Sequence, residues 1–206
     1  MLTIYGRHDS GNCYKPRLLL ALLDRPFRHV EVDSEAGETR APGFLAKNPN
    51  GKIPLIEFED GRFLAESNAM LVHLGEATPF VPANAFARAK MFEWLFFEQY
   101  SHEPFVAVRR ALLVYPGRAA QATPERLEAT LKGGETAFAV MDRQLKDTPF
   151  LAGETPSLAD LALFAYSHVA DEGGFDLAKF PDVSAWLRRV AALPGFRPMS
   201  WLPAAA

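Results

Sequence analysis

The side chains best suited to chemistry fall into two short stretches, each at the mouth of a helix. In Glu66-Ser67 a carboxylate and a hydroxyl stand where a strand-like run gives way to helical spacing. Ser67 and the first unbonded N–H groups of such a helix are suited to hold a carboxylate, and Glu66 to accept from an ammonium. A plain helix cap at Ser67 is compatible with that reading, because the cap donors and the carboxylate site coincide. The second stretch is the loop Arg7-His8-Asp9-Ser10-Gly11-Asn12-Cys13, ahead of an apolar helix whose positive end adds to it. A free thiol titrates at about 8.5, so holding one as a thiolate near neutrality takes donors or positive charge. The Ser10 hydroxyl and the Asn12 amide are such donors, with Lys15 and Arg17 downstream.

Other chemistries find little footing. The single cysteine stands in Cys13-Tyr14-Lys15-Pro16, with proline in the place of the second cysteine of a C-x-x-C motif. Dithiol exchange within the chain is excluded, while a mixed disulfide at Cys13 stays open beside its reading as a small apolar filler. His8, His29, His73, His102 and His168 are scattered, without H-E-x-x-H spacing or cysteine partners, so no metal site is expected. No glycine-rich phosphate motif occurs. Lys and Arg number 22 against 25 Asp and Glu, a net charge of -3 that gives no argument for nucleic acid. The start, MLTIYGRHDSG, lacks a basic region followed by an apolar core, and no apolar run reaches the length of about 18 that spans a membrane. A soluble, cytoplasmic protein is expected.

These stretches need elements to position them. At 206 residues, 49% apolar and 23% charged, the chain suits one large globular domain or two small ones. Up to about residue 80 the reading is strand Leu2–Tyr5, helix Pro16–Leu23, strand His29–Val32, short helix Ala41–Lys47, then strands Pro54–Phe58 and Arg62–Leu64 around Asp60-Gly61, and helix Glu66–Gly75. That order suggests a small mixed sheet covered by helices, its first crossover right-handed. Beyond the proline-rich Thr78–Pro82 the pattern is helical throughout: a long helix Ala85–Val114, kinked or restarted near Pro104; a helix from Thr123 to about Leu145; and Ser157–His168 and Asp182–Ala192. Gly133-Gly134, inside the second of these, costs about 1 kcal/mol per glycine with no local gain.

Three segments resemble, in order, those of cytosolic glutathione transferases, and the resemblance covers essentially the whole chain. Asn50-Gly51-Lys52-Ile53-Pro54-Leu55-Ile56 resembles the stretch where a cis proline opens the third strand. Leu64-Ala65-Glu66-Ser67-Asn68-Ala69-Met70 resembles the clamp for the γ-glutamyl group of glutathione. Leu151-Ala152-Gly153-Glu154-Thr155-Pro156-Ser157-Leu158-Ala159-Asp160 resembles the start of a buried helix in the second domain. The resemblance, closest to bacterial serine-type members, implies an α/β thioredoxin-like domain over 1–77, a linker over 78–83 and an all-α helical domain over 84–206.

The resemblance also implies roles. Ile53, before a cis Pro54, presents its backbone to the cysteinyl residue of glutathione; Lys52, and more weakly Arg40, meets the glycine carboxylate. Ser10 falls where serine-type members carry the catalytic hydroxyl, and Asn12 where cysteine-type members carry theirs, so Ser10, Asn12 or both are expected to donate to the thiolate. Tyr5, an early tyrosine of the sort other classes use, is expected to be structural. A hydrophobic electrophile would meet Phe97, Tyr100, His102, Phe105, Val106 and Arg109, between the domains. A homodimer is expected, with Met91, Trp94 and Leu95 offering apolar area. The implied activity is detoxifying transfer of glutathione, the co-substrate, to that electrophile. A glutathione-dependent isomerase and a non-catalytic binding or partner protein of the same fold are the alternatives; Ser10-Gly11-Asn12 differs from the Ser-Ser-Cys of the isomerases.

Overall fold

The computed structural model describes residues 1–204 and divides into two compact units. The first holds Met1–Glu76 and the tail from Leu193, the second Ala77–Ala192. The tail, expected from sequence with residues 84–206, packs with the first unit.

In the first unit, β1 (Thr3–Gly6), α1 (Gly11–Leu22) and β2 (Arg28–Glu31) are followed by α2 (Pro42–Leu45), β3 (Leu55–Glu57), β4 (Phe63–Ala65) and α3 (Ser67–Gly75). The sheet order is β2-β1-β3-β4. β1 runs parallel to β2 and antiparallel to β3, with Ile4 opposite His29 on one side and Ile56 on the other. β4 pairs antiparallel with β3, as the Asp60-Gly61 turn signal requires. Ile4, Leu55 and Ile56 from the sheet and Leu18, Leu19 and Leu20 from α1 are fully buried. This is the small mixed sheet that the order of elements suggested, in the thioredoxin-like arrangement that the resemblance implied.

One boundary moves with consequence. Pro16, expected near the start of α1, lies inside it, and the helix begins at Gly11 with Ser10 as N-cap. A proline reads locally as a first-turn residue. Here the cap and the packing of the following leucines override that preference, so the loop is shorter than the sequence suggested.

The second unit is all-helical: α4 (Ala85–Phe97), α5 (Glu103–Val114), α6 (Pro124–Asp147), α7 (Leu158–Ser167) and α8 (Pro181–Ala191). The expected break near Pro104 is a π-helical turn, Glu98–His102, between α4 and α5. Proline lacks the N–H that a continuous helix would donate, and a widened turn accommodates that loss. α7 is buried from Leu158 to Ser167. Its cap is reciprocal: Asp160 accepts from the Ser157 N–H (2.8 Å) and hydroxyl (2.9 Å), and from Leu151 N–H and Trp186 Nε1 (both 2.9 Å). Burial pushes the Asp160 carboxyl up, and these four donors oppose that shift.

Two expectations change here. Met91, Trp94 and Leu95 are buried inside the second unit, so they offer no free apolar area; their helical spacing marks the core-facing stripe of α4. The glycine pair gains a reason: a Cβ on Gly133 would overlap the Phe105 ring, and one on Gly134 the ring of buried Phe175. The rings pack where those side chains would be. We therefore expect Gly134→Ala to lose stability, because overpacking at about 1–3 kcal/mol outweighs a helix-propensity gain of about 1 kcal/mol. Thermal unfolding should show a melting temperature lower by a few degrees, whereas a rise would mean that Phe175 yields without cost.

Candidate functional site

The beginning of α1 and the start of α3 meet through a hydrogen-bonded chain. Ser67, the first residue of α3, donates from its hydroxyl to Asn12 Oδ1 (3.3 Å) and accepts from Lys15 Nζ (3.2 Å). Lys15 also donates to Asn68 Oδ1 (3.2 Å) and is 0% exposed. A buried ammonium is tolerated only with such partners. Its charge therefore sits within hydrogen-bond distance of the hydroxyl at which a carboxylate was expected. In the sequence Lys15 is only a basic residue downstream of Ser10; its burial against Ser67 shows in no local pattern.

Ser10 is half-buried, and its Oγ accepts from the Cys13 N–H at 3.4 Å. That contact uses a lone pair. The hydroxyl is also in hydrogen-bond reach of the Cys13 thiol, a weak acceptor that an incoming anion would outcompete for its proton. Asn12 is half-buried beside it. Cys13 is fully buried against Gly6, where a Cβ would come within 2.6 Å of its Sγ. Burial pushes its thiol up to about 11, outweighing the hydrogen bond with Ser10, the Arg7 backbone contact and the nearby Arg17 charge. A protonated, inaccessible thiol leaves Cys13 as the apolar filler and removes the mixed-disulfide reading.

The remaining expected residues cluster around the turn before β3 and the start of α3. The Ile53-Pro54 bond is cis, with Ile53 half-buried and Pro54 buried. The Lys52 side chain is exposed, and its carbonyl accepts from Asn48 Nδ2 at 2.8 Å. Arg40 is exposed and donates to the Asn50 carbonyl at 3.3 Å. Its guanidinium lies where a Cβ on Gly51 would be 2.6 Å away; that glycine has φ +60°, so it answers both to space and to backbone. Glu66 is exposed and takes φ 68°, ψ 111°, a region that costs a non-glycine residue about 1–3 kcal/mol. Such strain persists where surrounding structure over-determines it, here the strand before and the helix after.

Other residues fall outside this cluster. Tyr5 donates to Glu57 Oε2 (2.6 Å), and Lys47 Nζ donates to both (2.9 Å each), so its hydroxyl is committed to structure. Among residues expected to meet an electrophile, His102 and Val106 are buried in the core of the second unit. Phe97 stacks edge-on against Trp94, and Phe105 faces Gly133. Arg109 donates to the Gly173 and Leu127 carbonyls. Tyr100 alone of the six is largely exposed, at 85%.

A thioredoxin-like sheet with a cis proline before β3, a hydroxyl cap on α1 and a serine as the first residue of α3, together with an all-helical second unit, defines a glutathione transferase fold. Residues 9–77 match the glutathione S-transferase N-terminal domain and residues 105–194 the glutathione S-transferase C-terminal domain. The chain belongs to the glutathione S-transferase family. It is 48% identical to a crystallised glutathione S-transferase from Pseudomonas fluorescens Pf-5, over 96% of this chain and 98% of that one, with a TM-score of 0.93. Curated relatives from Escherichia coli K12 include glutathione S-transferase GstB, 26% identical over 98% of this chain and 99% of the relative. The disulfide-bond oxidoreductase YfcG of the same organism is 28% identical over 90% of this chain and 88% of its own.

A cluster of three titratable groups lies at the base of the Ser10 loop. Glu31 accepts from the His8 N–H (3.1 Å), pairs with His8 Nδ1 (2.9 Å) and with His29 Nε2 (2.9 Å). Burial lowers the His29 proton affinity, more than its hydrogen bond to Glu31 raises it. Burial raises Glu31, but hydrogen bonds from His29 and His8 outweigh it and hold the carboxyl below the usual range. A histidine depressed in the folded state gives stability that is full above its unfolded value of about 6.5 and is lost as pH falls below it. Glu31 adds stability that is lost only at lower pH, as its carboxylate protonates. Stability should therefore decline first between pH 7 and 5, and His29→Gln should flatten that first decline in urea titrations at stepped pH. An unchanged slope would place the acid sensitivity elsewhere.

Proposed function

We propose that this chain is a glutathione transferase that binds the tripeptide on its first unit and stabilises the sulphur as a thiolate. The observation that carries the reading is the chain Asn12–Ser67–Lys15, which ties the beginning of α1, next to Ser10, to the start of α3. The γ-glutamyl carboxylate of glutathione would take the first N–H groups of α3 and, once the Ser67 hydroxyl turns its proton away from Asn12 Oδ1, that hydroxyl too, with the Lys15 charge beneath it. Glu66 would accept from the γ-glutamyl ammonium. Ile53 would pair with the cysteinyl backbone, and Lys52 with Arg40 would face the glycine carboxylate as exposed cations.

The sulphur would then lie at the mouth of α1. Ser10 would turn its proton from the weakly accepting Cys13 sulphur to the thiolate while its lone pair keeps the cap, and the Asn12 amide is the second donor. No general base is needed, because the anion is stabilised and not generated by abstraction within the site. The thiolate attacks an electrophilic carbon, forming the C–S bond as a leaving group departs with its electron pair, or as a double bond takes up the electrons and then a proton. Holding sulphur and carbon together supplies the rest of the acceleration.

The likeness to a disulfide-bond oxidoreductase supports a second reading, in which bound glutathione thiolate attacks a disulfide. With Cys13 buried, glutathione would have to provide both sulphurs. One thiolate forms a mixed disulfide and expels one substrate thiolate. A second attacks the glutathione sulphur of that disulfide, expelling the other substrate thiolate and leaving oxidised glutathione. Turnover of an activated aryl halide against reduction of a small disulfide distinguishes the two.

Calorimetry at neutral pH should show saturable glutathione binding, weakened at least tenfold by Glu66→Ala combined with Ser67→Ala. No binding at millimolar glutathione would end the reading. In Ser10→Ala the ultraviolet thiolate titration of bound glutathione should move to higher pH, and turnover should fall by up to about a hundredfold, as for loss of a charge-stabilising donor. A titration unmoved in Ser10→Ala but moved in Asn12→Ala would give the leading role to Asn12.

A two-fold dimer completes the proposal. With Met91, Trp94 and Leu95 used inside the unit, the apolar area left on α4 is Phe86 and Phe96, 75% and 71% exposed. Sedimentation of the parent chain at micromolar concentration should show a species twice 22.8 kDa, reduced to the monomer by Phe86→Glu with Phe96→Glu. A parent that sediments only as the monomer would refute it.

A further inference from the structure

Arg17 is 1% exposed, and its guanidinium is held by three backbone carbonyls from three segments. Nη2 donates to His8 in the loop (2.6 Å), Nε to Cys13 in α1 (3.3 Å) and Nη1 to Trp201 in the C-terminal tail (3.3 Å). Among the described residues no carboxylate pairs with it. A charge this deep is tolerable only when its donors are met, so each carbonyl matters to the other two.

The tail is seated on α1 along its length. The Tyr14 hydroxyl donates to the Arg197 carbonyl. Gly195, at φ +84°, lies so close to the end of α1 that a Cβ there would be 3.1 Å from the Ala21 carbonyl oxygen. The Trp201 ring packs edge-on against Phe27 at 6.0 Å and under the Arg197 guanidinium at 5.9 Å. These contacts hold the Trp201 carbonyl where Arg17 can use it. At the other end of the same guanidinium, His8 lies two residues before Ser10.

We propose that Arg17 is a positioning residue that couples the seating of the C-terminal tail to the placement of the Ser10 hydroxyl. Loss of the Trp201 carbonyl would leave Nη1 unmet, and the guanidinium would turn towards solvent or a new acceptor, releasing the His8 carbonyl. The Ser10 loop would then sample other positions, while Ser67 and the start of α3, held by Lys15, would stay in place. Kinetically this separates the two halves of the site: thiolate stabilisation suffers and tripeptide capture does not. The proposal rests on the glutathione reading for its catalytic consequence, but its structural core does not.

The test uses full-length chains carrying Arg17→Lys, Arg17→Met, Trp201→Gly and the double change Arg17→Met with Trp201→Gly. Hydrogen exchange of the ligand-free proteins is followed at amides 8–13 and 67–75. Trp201→Gly, far along the chain from Ser10, should speed exchange at 8–13 by about tenfold, the size of one lost hydrogen bond of this kind, and leave 67–75 unchanged. Arg17→Met should do the same, the double variant should be no worse than the worse single, and Arg17→Lys should lie between parent and Arg17→Met. With glutathione bound, the thiolate titration should move to higher pH and kcat should fall, with KM for glutathione unchanged. Exchange at 8–13 within twofold of the parent in Trp201→Gly, while tail amides open, overturns the coupling, as does a double variant whose effects simply add. If Arg17→Met does not fold, Trp201→Gly decides alone. If the parent binds no glutathione, the exchange result still decides the coupling, and only the catalytic reading falls.

Discussion

Two cations of α1, Lys15 and Arg17, are buried almost completely, and the first unit is arranged to satisfy them. Each removes a charge from water, a cost of several kcal/mol that neutral oxygens must offset through hydrogen bonds. Lys15 recruits the Ser67 hydroxyl and the Asn68 amide oxygen, which fixes the start of α3 against α1. Arg17 recruits carbonyls of the loop, of α1 and of the tail. The helix therefore acts as a post whose two charges hold the loop, the clamp helix and the tail. A leucine-rich helix without them would still bury its apolar face, but the loop and α3 would be left with such ties as the Ser67–Asn12 bond and the contacts of His8 with Glu31.

That arrangement bears on sulphur chemistry through a division of labour at Ser10. A hydroxyl has a donor and two acceptor sites, and the N-cap consumes only an acceptor. The residue that begins the helix can therefore also face an anion, and the two functions do not compete. Cys13, three residues on, shows the contrary case. It lies near the same helix mouth, yet burial against Gly6 raises its thiol to about 11, and proximity to positive charge does not rescue it. Exposure to the incoming group, and not position near a helix end alone, separates a donor from a filler.

The second unit meets a similar demand with one carboxylate. Asp160 is 0% exposed and accepts four hydrogen bonds, two from the cap at Ser157, one from Leu151 and one from Trp186 on α8. The buried helix α7 is thereby anchored at its start to the turn before it and to a neighbour. The close approach of aromatic rings at Gly133 and Gly134 sets how near α6 can lie to them. Packing distance is bought there with helix propensity.

Much of this was legible in the chain of letters because the signals are local. The Asp60-Gly61 turn, the Ser157…Asp160 cap and the order of strands and helices act over a few residues, and apart from the start of α1 they stand close to where the sequence placed them. Ser10, Asn12 and Ser67 were legible as residues at helix mouths for the same reason, and Ile53-Pro54 through its resemblance. What only the tertiary structure decided involves partners far apart: Lys15 with Ser67, 52 residues on, and Arg17 with Trp201, 184 residues on. The start of α1, the inward face of Met91, Trp94 and Leu95, and the reason for the glycine pair belong to the same group. Caps and turns are fixed by the backbone's own unmet hydrogen bonds, which neighbours in sequence can meet. The satisfaction of a buried charge, or the filling of space beside a glycine, depends on whatever the fold brings alongside, and a linear pattern carries no record of that.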